Sequence, residues 1–172
     1  LRLSIRETPQ SVSVVTRQQM DDLGIQSVED ITHMTTGLTL SKGATERAGF
    51  YSRGFSINYF TQDGLPMSSD ADTLGFSTLS IYDRIEVVRG AAGLLTGAGN
   101  PAGSINFVRK RPTREAQVVL TGSAGRWNDY RAELDAGGPL NEAGTLRGRA
   151  VVALQDAETF ISNYSHRRAL VY

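Results

Sequence analysis

The sequence contains no cysteine, which excludes disulfide frameworks, thiolate metal sites and cysteine nucleophiles together. Lysine is nearly missing as well: only Lys42 and Lys110 occur, beside sixteen arginines. Planar guanidinium forks suit bidentate pairing in confined places, and a GC-rich coding sequence produces the same bias. Neither sign of charge is in excess, with 18 basic and 18 acidic residues, 11 of each up to residue 113 and 7 of each from there on. That balance argues against a basic nucleic-acid surface and against a charged tail. No apolar run approaches the roughly 18 residues that a membrane helix needs. The first residues also lack the basic, apolar and small-residue succession of a secretion signal. The two histidines, His33 and His166, show no ligand spacing, so no metal ligands are expected of the protein itself.

What the sequence does have is alternation and glycine. Arg84 to Thr113 reads RIEVVRGAAGLLTGAGNPAGSINFVRKRPT. Ile85 and Val87 fall on one side of an extended chain and Glu86 and Val88 on the other, and Ile105 and Phe107 repeat the pattern after the connector. Between these runs lie five glycines in fourteen residues, Gly90, Gly93, Gly97, Gly99 and Gly103, which permit sharp turns and close backbone approach. Residues 97 to 102, GAGNPA, satisfy G-x-G-x-x-A, but the dinucleotide fingerprint needs a helix afterwards and Ser104 to Lys110 alternates like a strand. A Walker-type phosphate loop needs lysine where Gly103 stands. No G-x-S-x-G elbow and no carboxylate pair with acid–base context occurs, so no enzyme is expected.

Upstream, a strand is expected near Ser11 to Val15. Thr16 and Gln19 have capping-box spacing for a short helix through Leu23, with Gly24 as its stop. Ser27 offers a second N-cap, with Val28, Ile31 and Met34 at inward helical spacing. Leu38 to Leu40, Gly49 to Phe55 and Tyr59 to Gln62 read as strands, the last before an Asp63-Gly64 turn. Short helices among short strands imply an α+β domain over residues 1 to 113.

From Ala116 onward the character changes. Tyr130, Ala132, Leu134 and Ala136 alternate with Arg131, Glu133 and Asp135, and Leu146 to Leu154 alternate likewise against Arg147, Arg149 and Gln155. Four strands are expected, at 116 to 124, 128 to 137, 145 to 156 and 166 to 172. Apolar outward and polar inward, such strands match a transmembrane β-barrel, and a half-buried soluble sheet gives the same pattern. Four strands cannot close a barrel, since the smallest need about eight.

The RIEVVRG…SINFVRK block, ETPQSVSVVTRQQMDD at Glu7 to Asp22 and YSRGFSINYFTQDGLP at Tyr51 to Pro66 together resemble the plug domain of TonB-dependent outer-membrane receptors, especially the ferric-siderophore group. Ala91 and Thr96 depart from that pattern, standing where the family often has proline and tyrosine. The resemblance implies an α+β plug, a small mixed sheet with short helices, over 1 to 113. After it come the first antiparallel strands of a 22-stranded transmembrane barrel over 114 to 172, the remainder lying outside this sequence. It implies a bacterial outer-membrane location, with the plug inside the barrel. The implied partners are a ferric siderophore as transported ligand, with no cofactor, together with the rest of the barrel, outer-membrane lipid and a TonB-type energy-coupling protein. The TonB box is expected N-terminal to Leu1. The alternative class is a soluble plug-like adaptor without transport.

Ligand contact is expected within Ala44 to Phe76. There Arg47, Tyr51, Arg53, Phe55, Tyr59 and Phe60 combine cationic forks with aromatic faces suited to a bulky, oxygen-rich, partly anionic chelate. Arg53 matches the arginine of the family's apical RGF motif; packing within the plug is its other reading. Tyr51, Tyr59 and Phe60 also fit as core aromatics. Asp70 and Asp72 read as solvated loop charges. By resemblance, Arg84, Glu86 and Arg89 are expected to lock the plug against the charged groups of a barrel wall.

Overall fold

Thr16 ends one element and starts the next. In the computed structural model, which describes residues 11–44, 47–67, 78–90 and 101–172, β1 (Ser11–Thr16) runs directly into α1 (Arg17–Asp22). The Thr16 hydroxyl accepts from the Gln19 amide at 3.3 Å, and the Gln19 side chain accepts from the Thr16 amide at 3.0 Å. This reciprocal cap satisfies two donors that a helix start leaves unpaired, and contributes about 1 kcal/mol. Arg17 then fastens the helix by donating to the Leu79 carbonyl at 2.9 Å. The second helix, α2 (Ile31–Met34), begins later than the expected Ser27 cap. Ser27 and Asp30 instead bond each other, hydroxyl to carboxylate at 2.8 Å, and close a turn. Val28 and Ile31 are buried as expected, but Met34 is 37% exposed, because a one-turn helix has no third inward position.

A three-stranded antiparallel sheet follows, built from β2 (Thr39–Ala44), β3 (Arg47–Ser52) and β4 (Phe55–Ile57). The expected continuous strand from Gly49 to Phe55 is thus cut by a turn at Arg53-Gly54. The larger sheet has the order β1-β7-β8-β5-β6, formed with β5 (Phe60–Gln62), β6 (Leu65–Pro66), β7 (Tyr82–Arg89) and β8 (Gly103–Arg109). Its β5–β8 pairing is parallel and its others antiparallel, which makes the sheet mixed. Ile85 lies opposite Phe107 and Val87 opposite Ile105, all four fully buried, with Met20, Phe50, Ile57 and Leu79 in the same core. Tyr82 packs its ring 5.2 Å from that of Phe107, and burial raises the phenol's pKa above its ordinary value. At the start of β8, Gly103 has φ +132°, and a Cβ there would stand 2.0 Å from the Val88 carbonyl oxygen, so the β7–β8 pairing admits only glycine.

These elements belong to one unit, Leu1–Arg109; Lys110–Tyr172 form another. The second unit is a meander of β9 (Gln117–Gly125), β10 (Asp129–Pro139), β11 (Arg147–Glu158) and β12 (Ser165–Val171), paired antiparallel in chain order. Each bound lies within two residues of its expectation. One face is apolar and open: Leu120 and Val152 both lie opposite Leu134, Leu154 lies opposite Ala132, and Leu120 is 77% exposed. The other face holds charge. Lys110, 5% exposed, donates to Asp135 at 2.7 Å, Arg149 binds both oxygens of the same carboxylate at 2.7 Å, and Arg131 donates to Glu133 at 2.9 Å.

Candidate functional site

Alternation in β3 buries Ala48, Phe50 and Ser52 and turns Arg47, Gly49 and Tyr51 to the opposite face. The strand ends in a two-residue hairpin turn, with Ser52 opposite Phe55 and positive φ at both central residues, 52° at Arg53 and 83° at Gly54. This is the type I′ geometry whose twist matches antiparallel strands, and its first position favours asparagine, aspartate or glycine. An arginine there costs roughly 1 kcal/mol.

The β5–β6 turn is a built-in control. Asp63 and Gly64 have the same pair of angles, 51° and 83°. Asp63 has a structural reason to be there: its carboxylate accepts from the Arg109 amide at 2.9 Å and from its guanidinium at 2.6 Å, tying the hairpin to β8. Arg53 has no such partner among the described residues. Its guanidinium lies alongside Gly90, with Nη1 3.5 Å from where a Cβ would stand, and is exposed. Backbone strain of this kind concentrates at functional sites.

The structure leaves some of the expected side chains open and buries others. Arg47 is exposed at the start of β3, and Tyr51 is half-buried with its ring over Gly49. Tyr59 is half-buried, and its carbonyl accepts from the Ile105 amide at 3.2 Å. Phe60 is a core residue, 1% exposed, its ring edge-on to Phe50 at 6.2 Å, so this chain presents no Phe60 surface. Phe55, directly after the turn and 58% exposed, supplies the open aromatic surface instead. Asp70, Asp72 and the connector from Gly93 to Gly99 lie outside the described residues.

Of the three expected locking residues, Arg84 and Glu86 share one face of β7, while Arg89 falls on the side of Ile85 and Val87. Arg84 donates to Glu86 at 2.7 Å, a bond that raises the guanidinium pKa further. The other Glu86 oxygen accepts from Asn106 at 2.8 Å, and the Asn106 carbonyl oxygen accepts from the Thr61 hydroxyl at 2.8 Å and the Gly64 amide at 3.0 Å. One polar chain therefore links the Asp63-Gly64 hairpin to Arg84. Arg89 donates to the Thr36 carbonyl and, at 2.9 Å, to the Ser13 hydroxyl, binding β1 to the segment after α2. Among the described residues no group of carboxylates and histidines could hold a metal ion, and no helix is long and apolar enough to cross a membrane.

The profile of the TonB-dependent Receptor Plug Domain matches residues 4–104. Over the whole of this chain the sequence is 48% identical to the ferripyoverdine receptor of Pseudomonas aeruginosa, covering 22% of that protein. It is 47% identical to the ferric-pyoverdine 358 receptor of Pseudomonas putida, covering all of this chain and 22% of that one. The fold is similar to the crystal structure of the ferripyoverdine receptor of the outer membrane of Pseudomonas aeruginosa bound to ferripyoverdine. That match has a TM-score of 0.93 at 46% identity, over 98% of this chain and 23% of the other. The chain thus spans about a fifth of the length of the curated relatives it matches.

Proposed function

The chain belongs to the TonB-dependent receptor plug family, and from that premise we propose that it is the plug region and opening barrel strands of an outer-membrane receptor that binds and imports a ferric siderophore of the pyoverdine type. Residues 1–113 form the plug and 114–172 begin the barrel. The observation that carries the ligand site is Arg53: an exposed guanidinium with no described partner, on a residue with positive φ between Tyr51 and Phe55 in the chain. Such a fork donates charge-assisted hydrogen bonds to the oxygens of a ferric chelate, and the aromatic rings cover its less polar parts. Iron arrives already chelated, so the protein supplies no metal ligands and makes or breaks no bond. Release needs a plug state of lower affinity, since a ligand bound equally by two states shifts neither. An inner-membrane energy-coupling protein of the TonB type supplies that change.

The exposed apolar face of the meander supports the barrel reading over a soluble adaptor: Val118 and Leu120 are 71% and 77% exposed, and β9, β10 and β11 have 9, 11 and 12 residues, a length suited to crossing lipid. In the complete receptor, Arg53→Ala should weaken ferripyoverdine binding by about 1.5–3 kcal/mol, read by quenching of intrinsic fluorescence. Unchanged affinity in a folded variant makes Arg53 a packing residue.

A further inference from the structure

Gly49 has no conformational reason to be glycine: its φ lies outside the left-handed region, and glycine within a strand weakens it. Its neighbour supplies a reason. A Cβ on Gly49 would stand 3.0 Å from Cε2 of Tyr51, 3.4 Å from its hydroxyl oxygen and 3.5 Å from Cζ. Strand side chains ordinarily stand away from the sheet, but the Tyr51 ring leans along β3 over the position two residues earlier on its own face. It can do so because no side chain is there. Leaning in this way, the far end of the ring covers the strand backbone at Gly49, four residues before Arg53.

We propose that Gly49 is a positioning residue for ligand recognition, an empty seat that lets the Tyr51 ring lean along β3 beside the Arg53 turn. This rests on the ferric-siderophore reading of the Arg53 surface. Gly49→Ala keeps an allowed backbone and removes freedom from the unfolded chain, which favours stability; the added methyl group, 3.0 Å from Cε2 of Tyr51, obliges the ring to shift by a few tenths of an ångström. Affinity and stability therefore move in opposite directions, which a purely structural role would not produce.

The test compares Gly49→Ala, Tyr51→Ala and the double variant in the complete receptor, with ferripyoverdine as probe, alongside thermal unfolding. A fluorotyrosine at position 51 reports on the ring without ligand. Gly49→Ala should weaken binding about fivefold, a coupling typical of touching residues, without lowering the unfolding temperature. The loss should vanish in the Tyr51→Ala background, and the fluorine resonance should shift in the ligand-free receptor. An unmoved resonance, or an equal loss in both backgrounds, overturns the seat. If Tyr51→Ala weakens binding but Gly49→Ala does not, the seat is wrong and the siderophore reading stands. If both Tyr51→Ala and Arg53→Ala bind as the unaltered receptor does, the siderophore reading itself fails, and the proposal with it.

Discussion

The two units apply one alternation in opposite senses. In β7, Ile85 and Val87 are buried while Arg84 and Glu86 lie on the more open face. In β10, Leu134 lies on the open face while Asp135 is buried against Lys110 and Arg149. A period of two separates a strand's residues into two sets without saying which set faces inward. The medium decides. In water the hydrophobic effect collects Ile85, Val87, Ile105 and Phe107 into a core. A strand whose outer face meets lipid has no reason to hide leucine, so its inner face is free to carry charge, provided each charge is paired.

The largest expected effect that sharpens this contrast comes from cutting the same kind of side chain in each unit. Phe107→Ala in the 172-residue chain should cost about 3–5 kcal/mol, while Leu120→Ala should stay within about 0.5 kcal/mol, both read by denaturant unfolding in detergent. A comparable loss at Leu120 would mean that its face is covered. Next comes the inner face of the meander. Asp135→Ala leaves the buried Lys110 and the half-buried Arg149 without their shared carboxylate and should cost about 3 kcal/mol; protection of the β10 and β11 amides from hydrogen exchange would report it. Undiminished protection would show that water already reaches these charges.

A smaller effect should appear in solution behaviour. Ending the chain after Thr113 removes the open apolar face and should lower light scattering in detergent-free buffer, because such faces associate. Scattering that stays the same, with a less stable short chain, would make the meander a soluble sheet. The smallest effect concerns pH. Burial raises the pKa of Tyr82, so the neutral phenol favours the folded state. That contribution is fully present below the unfolded phenol value of about 10 and is lost as pH rises through the higher folded value. Tyr82→Phe should therefore unfold less readily than the unaltered chain in alkaline buffer and show little difference at neutral pH. Parallel alkaline unfolding curves for the two would place the titration elsewhere.

Local features were legible where neighbouring residues decide them. Thr16 with Gln19 specifies a cap within one turn of chain, and Asp63-Gly64 specifies a hairpin because both residues tolerate positive φ. The four strands of the second unit were legible because strict alternation runs through them and turn residues separate them. Arg53-Gly54 was passed over as strand because arginine rarely occupies the left-handed region; the hairpin forms because pairing of Ser52 with Phe55, Tyr51 with Ser56 and Phe50 with Ile57 outweighs that local cost. Ser27 has the sequence signature of a cap, but its hydroxyl bonds the Asp30 carboxylate and the helix starts only at Ile31.

The candidate site divides the same way. Sequence by itself determined the family, the alternating faces, and the concentration of arginine and aromatic residues between Arg47 and Phe60. Only the tertiary structure decided that Phe60 goes into the core against Phe50 while Phe55 stays open, and that Arg89 serves the core side of β7. The physical reason is range. Caps, turns and periodicity are energies of residues a few positions apart, whereas burial of one aromatic rather than another depends on strands that meet only after the chain has folded back, as β5 does on β8 across more than forty residues.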